Sequence, residues 1–269
     1  MRAGLSLIFI LVSGQCNAEA EAMYLANAGV LVTHGETSIL FDPLFRNNYG
    51  QYQLLPADLE QALMQKTAPF DGVDAVFISH YHGDHFSAGD IAAYLQANLD
   101  VRLFAPVQAT EELLFFIGDD RHDILERITG IDLAYGDDAI TLSHGMLTID
   151  AFHIPHSGWP DRTPEVQNIA FRVTFDEEMT VLHLGDADTR DVHFASDSKL
   201  WDTRRTNLAL PPYWFFTSAE GSEVLEGRLM PGAAVGIHVP RELPPAYSKG
   251  LEDHDLFRTP GETRAIPHE

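Results

Sequence analysis

Apolar positions along this chain gather into short runs separated by glycine, proline and acidic turns, the pattern of strands buried on both faces. Tyr24 to Val32 reads as one extended run. His34-Gly35-Glu36-Thr37 turns it, and Ser38 to Phe41 returns, so a hairpin is predicted that Asp42-Pro43 ends. Asn47 to Pro56 is polar and aromatic, suited to a loop over a site. Ala57 to Lys66 carries helical spacing at Leu59, Ala62 and Leu63. Val73 to Ile78 predicts a core strand, Ile91 to Leu95 a helix, and Val101 to Phe104 a strand. A further helix is expected to run to Ile117, capped by Thr110 with Glu111 and Glu112 in its first turn. Thr129 to Ala134 pairs with later strands. Two more hairpins follow, Ile140–Leu142 with Leu147–Phe152 and Ile169–Phe175 with Met179–Leu184. Asp188 to Leu200 and Ser218 to Leu229 read as helical. Asn207–Leu210 and Ala233–Val239 read as strands, before a tail rich in proline and charge. Hairpins followed by alternating strands and helices, twice over, predict two packed sheets with helices outside.

One stretch carries dense chemistry. Phe77-Ile78-Ser79-His80-Tyr81-His82-Gly83-Asp84-His85-Phe86 places His80, His82, Asp84 and His85 directly after a core strand and before the start of a helix. In extended backbone, residues at i and i+2 leave on one side, so His80 and His82 can share a target. Asp84 and His85 come from the turn and can aim beside it. Three other apolar strands also end in ligand types: His153 and His156 after the run to Phe152, Asp186 after Leu182-His183-Leu184-Gly185, and His238 after Ile237. A lone strand-end histidine is ordinarily structural. Several added to a His-x-His-x-Asp-His block point to a single metal site.

Composition narrows the setting. With 45% hydrophobic residues in a chain of 269, there is material for one sizeable core. The net charge of -23 disfavours nucleic acid and anionic membrane as partners, leaving a small-molecule substrate. Residues 1–20 have the form of a secretory leader: Arg2, an apolar run from Leu5 to Val12, and small residues at Cys16-Asn17-Ala18 and Ala18-Glu19-Ala20. The run is too short to anchor in a bilayer. Gln15 before Cys16, where a lipidation signal has a small residue, favours simple cleavage. Residues 21–269 then form one domain without cysteine or membrane anchor, bound for the periplasm or the exterior.

These motifs resemble the metallo-β-lactamase superfamily, from the Leu25-x-x-x-Gly29 hairpin and Phe41-Asp42-Pro43 to His238. Within it they resemble the branch of ascorbate-lactonase-like and N-acyl-phosphatidylethanolamine phospholipase D-like enzymes. The resemblance implies an α/β, or α+β, four-layer αβ/βα sandwich. It also implies two metal positions. His80, His82 and His156 would hold the first. Asp84, His85 and His238 would hold the second, and Asp186 would bridge them. His156 is preferred to His153 because it lies where the strand gives way to Ser157-Gly158, ahead of Gln167-Asn168-Ile169. His183 reads as structural and Asp188 as a helix cap.

Imidazole and carboxylate donors without thiolate suit zinc, and also manganese or iron. Two such ions can share a water and lower its pKa to about neutral, so that hydroxide attacks a carbonyl or phosphoryl centre. Asp84 would orient that nucleophile. The expected activity is hydrolysis of an ester, lactone or phosphodiester bond. A β-lactamase and a non-catalytic metal-binding protein are the alternatives. A diiron oxidoreductase fits less well, because a carboxylate commonly replaces the second histidine of the motif there and position 82 is histidine. Tyr213 and Trp214, in Pro211-Pro212-Tyr213-Trp214-Phe215-Phe216, and the loop Arg46 to Tyr52 are candidate pocket walls. His153 and Tyr213 are candidate proton donors.

Overall fold

The computed structural model describes residues 20–118, 121–195, 198–243 and 245–268. The expected leader lies outside them, save Ala20, which begins the first strand. The strands are β1 (Ala20–Ala26), β2 (Gly29–His34), β3 (Thr37–Phe41), β4 (Val73–Phe77), β5 (Arg102–Pro106), β6 (Ile128–Ile131), β7 (Ile140–His144), β8 (Leu147–His153), β9 (Ile169–Phe175), β10 (Met179–His183), β11 (Leu208–Leu210), β12 (Ala233–Ala234) and β13 (Thr263–Ala265). The helices are α1 (Ala57–Met64), α2 (Ala88–Ala97), α3 (Val107–Ile117), α4 (His122–Leu125), α5 (Val192–Ala195), α6 (Ser198–Thr203), α7 (Ala219–Glu223) and α8 (Pro245–Ser248). One sheet has the order β13-β1-β2-β3-β4-β5-β6 and the other β12-β11-β10-β9-β8-β7.

Side-chain alternation along the strands builds the layers. Tyr24, Val30, Val32, Ile39, Phe41 and Phe77 of the first sheet meet Ile149, Ala151, Phe171, Val173 and Val181 of the second in a shared core. The opposite face of the first sheet, through Leu31, Leu40, Val76 and Leu103, packs on Leu63, Ile91, Leu95 and Leu113 of α1 to α3. The outer face of the second, through Phe152, Ala170 and Leu182, packs on Phe194, Trp201 and Val224. This is the expected sandwich of two sheets between helical layers.

Four segments differ from the sequence reading. Tyr24 to Val32 is two strands, because Asn27 takes a left-handed conformation (φ +50°) and turns the chain. A Cβ on Gly29 would stand 2.9 Å from the Ala26 carbonyl and 3.0 Å from that of Asp42, so the turn demands glycine there. Helix α3 begins at Val107, after Pro106. Thr110 therefore lies a turn inside, its hydroxyl donating to the Val107 carbonyl. Asp188 caps no helix: α5 starts at Val192, and the Asp188 carboxylate accepts the Arg190 N–H at 3.1 Å. Only Ala233–Ala234 of the last expected strand is regular. The tail supplies β13, which pairs antiparallel with β1.

Candidate metal centre

The candidate ligands converge on one rim, at the carboxyl ends of strands from both sheets. His80, His82, Asp84 and His85 follow β4. His156 follows β8, Asp186 follows β10 and His238 lies beyond β12. Strands β8 and β10 both run antiparallel to β9, and β11 and β12 run parallel to β10, so these loops emerge together. One ligand atom from each of His80, His82 and His156 lies within 4.8 Å of the others. The same holds for Asp84, His85 and His238, and for His80, His85 and Asp186, the group that links the two.

Asp186 sits between the groups. Its carboxylate oxygens lie 3.1 Å from His85 Nε2, 3.4 Å from His156 Nε2 and 3.3 Å from His238 Nε2. Yet His85 Nε2, His156 Nε2 and Asp186 Oδ1 are buried without a hydrogen-bond partner. Lone pairs facing one another at such distances, out of line for a proton, mark space shaped for a cation. The donor set therefore fits divalent metal.

The neighbouring groups orient each ligand. The Asp42 carboxylate accepts the Ser79 N–H at 2.7 Å, the Ser79 hydroxyl at 2.6 Å and His85 Nδ1–H at 2.8 Å, which leaves His85 Nε2 facing the site. His80 Nδ1 meets the Ser79 hydroxyl at 3.0 Å, and His156 Nδ1–H donates to the Ser157 carbonyl at 2.9 Å. Asn168 is fully buried. Its Nδ2 donates to the Ile154 and Leu184 carbonyls and its Oδ1 accepts the Asp186 N–H.

The field within the site is strong. Burial opposes the charged form of Asp186, but His238, His85 and His156 outweigh it and hold its pKa well below the usual carboxylate value. Burial likewise opposes a charged His85, yet Asp186, Asp84 and Asp42 hold its pKa well above the ordinary imidazole value. Burial, then the neighbouring imidazoles, pushes His80 well down, and His82 down less far. A consequence follows for the metal-free protein. The folded pKa of His85 exceeds its unfolded value of 6.5, so its stabilising contribution is complete below that value and lost as pH rises through the folded pKa. His80 and His82, pushed down by burial, act the other way, but only up to about pH 7, where their unfolded counterparts have lost their protons. Above about pH 7.5, thermal melts of chelated protein should therefore fall as pH is raised. Added zinc should reverse the trend, because it displaces the same protons. A chelated protein that melts higher at the alkaline end would contradict this.

The remaining candidates are placed differently. His153 stays outside the cluster, its Nδ1–H donating to the Leu133 carbonyl at 2.9 Å. His183 is fully buried. It donates to the Ala28 carbonyl at 2.9 Å and stacks on Phe41 with ring centroids 4.8 Å apart, a structural role. Arg46 turns away, its guanidinium forked between Glu60 and Asp90. The Trp214 ring lies 5.3 Å from His238, with Nε1–H donating to the Ala187 carbonyl. Tyr213 lines a cavity of about 520 Å³ with Gly50, Gln51, Pro240, Arg241 and Glu242. Phe215 is instead fully buried in the outer core. Tyr52, the last residue of the loop expected to wall the pocket, stands with its ring edge-on to His238 at 4.3 Å. The sequence reading assigned no role to Asp42, Ser79 or Asn168 around the ligands. Asp42-Pro43 carried a signal, but as a strand stop.

Comparison with known proteins agrees with this architecture. No curated protein matches in sequence. Among solved structures, the chain is similar to Igni18, a metallo hydrolase from Ignicoccus hospitalis (TM-score 0.60, 18% identity, 93% of this chain and 100% of that one). It is similar to an isothiocyanate hydrolase from Delia radicum gut bacteria (TM-score 0.59, 17% identity, 91% and 99%). It is also similar to CmlA, a diiron β-hydroxylase from Streptomyces venezuelae (TM-score 0.53, 15% identity, 93% of this chain and 54% of that one). At these identities the likeness speaks for the fold. The family model described as the beta-lactamase superfamily domain matches residues 37–235, a span holding every candidate ligand except His238. The chain thus belongs to the β-lactamase superfamily and has its metallo-β-lactamase fold.

Proposed function

We propose that this protein is an exported metal-dependent hydrolase whose paired divalent cations, zinc by donor chemistry, serve cleavage of an ester, lactone or phosphodiester bond in a small molecule. The observation that carries the reading is Asp186: one buried carboxylate standing between two ligand groups, with its Oδ1, His85 Nε2 and His156 Nε2 all buried without a protein partner. When bound, two such ions acidify a shared water and polarise the scissile oxygen. His80, His82 and His156 would hold one ion, Asp84, His85 and His238 the other, and Asp186 both. Asp84 is the group placed to orient the attacking water. His238 Nε2 lies 3.2 Å from its Oδ2, and its pKa is held down, against burial, by His85 and His238, so it accepts rather than donates hydrogen bonds. Trp214, 5.3 Å from His238, and Tyr213, 5.5 Å from Trp214, would wall the site on its apolar side, suited to an apolar or ring-bearing substrate.

Export rests on residues 1–20. Of the two candidate cleavage points, the one after Ala18 keeps Ala20, whose carbonyl accepts the Ile266 N–H at 2.8 Å. The mass of the mature protein tests this.

Metal analysis of the purified protein, followed by lactone, phosphodiester and β-lactam reporters, tests the activity. About two metals per chain are expected, and Asp84→Ala should abolish turnover on whichever reporter is cleaved. Full activity in that variant would contradict the role of Asp84. A correctly folded protein that holds metal but turns over none of the reporters would favour the non-catalytic reading. Iron with oxygen-dependent turnover would favour redox chemistry instead.

A further inference from the structure

The turn joining β1 to β2 reaches the second candidate metal position. Asn27 is fully buried there. Its Nδ2 donates to the Asp84 backbone carbonyl at 2.8 Å and lies 3.5 Å from Asp84 Oδ2. Its own carbonyl accepts the His238 N–H at 2.8 Å. One residue thus grips two of the three ligands of one group, from segments more than fifty and more than two hundred residues further along the chain. Its Oδ1 is buried without a hydrogen-bond partner, so the amide is not spent on packing alone. The first group is fastened elsewhere: His80 by Ser79 and His156 by the Ser157 carbonyl.

We propose that Asn27 is a positioning residue for the second cation, setting Asp84 and His238 to receive it while leaving the first position untouched. The proposal rests on the dinuclear reading above. The left-handed backbone at this position admits asparagine, aspartate or glycine at little cost, which restricts the side chain. Of these, only asparagine presents an N–H donor to Asp84. Aspartate has nearly the same shape but would face Asp84 with a second carboxylate. Glycine keeps the turn and removes the amide.

The test is zinc titration against a competing chelator, with elemental analysis after dialysis, on wild type, Asn27→Gly and Asn27→Asp. Melts of the chelated proteins report folding. Wild type should bind two equivalents. Both variants should keep the first with unchanged affinity and bind the second about tenfold or more weakly, the usual effect of losing a group that orients a ligand. Should the glycine variant not fold, the near-isosteric aspartate variant gives the same reading. Two equivalents at wild-type affinity in the variants would overturn the proposal, as would a parallel weakening of both, which marks a merely structural role. A wild type that binds one equivalent would overturn the dinuclear reading itself, and the proposal with it.

Discussion

Asp186→Ala should strip the protein of at least one metal and lower its turnover more than about 100-fold, beyond what losing an orienting neighbour costs. The variant removes a carboxylate that lies within 3.4 Å of His85, His156 and His238 together, alone among the described residues. It should fold. The backbone bonds at this position, Asp186 N–H to Asn168 and Ser157 N–H to the Asp186 carbonyl, survive in alanine. Asp186→Asn should behave alike, since a neutral amide cannot supply the negative charge that two neighbouring cations require. Elemental analysis and reporter hydrolysis measure both effects. Two metals per chain with unchanged turnover would remove Asp186 from the centre of the site.

Gly185→Ala is expected to destabilise the fold strongly. Gly185 holds φ +56°, and a Cβ there would stand 2.4 Å from Asn168 Oδ1 and 2.7 Å from Ser79 Cβ. Neither neighbour can retreat. Asn168 ties the Ile154 and Leu184 carbonyls to the Asp186 N–H, and Ser79 is held by Asp42. Left-handed strain of about 1–2 kcal/mol and overpacking of about 1–3 kcal/mol add to roughly 2–5 kcal/mol. Denaturant unfolding should show a lower midpoint at unchanged slope. A loss under about 1 kcal/mol would mean that the turn has room the structure does not show.

Much of the architecture was legible because buried strands leave continuous apolar runs and the ligand types cluster at their ends. The metal block at residues 80–85 was visible because its members are neighbours in sequence. The groups that orient the ligands were not. Asp42 acts on His85 across 43 positions, and Asn27 on Asp84 across 57. No local pattern marks such a bond before the sheets bring its ends together. Asn27 also hid a turn, since a single polar residue in Leu25-Ala26-Asn27-Ala28-Gly29 does not break an apolar run. The late helix start after Asp188 has a similar cause. Arg190 and His193 of α5 lie 2.7 and 3.3 Å from the Asp188 carboxylate, and the residues between curl around it, so the helix begins only at Val192.

The pairing of β13 with β1 joins the first described strand to nearly the last residues of the chain. The border of that sheet therefore stays open until residues 263–265 have been made, and closing it against residues 21–23 requires a loop of more than two hundred residues, a slow step. Under the proposed export, a polypeptide that threads a translocation pore unfolded would gain from such delayed closure, and the last ladder would form only after passage.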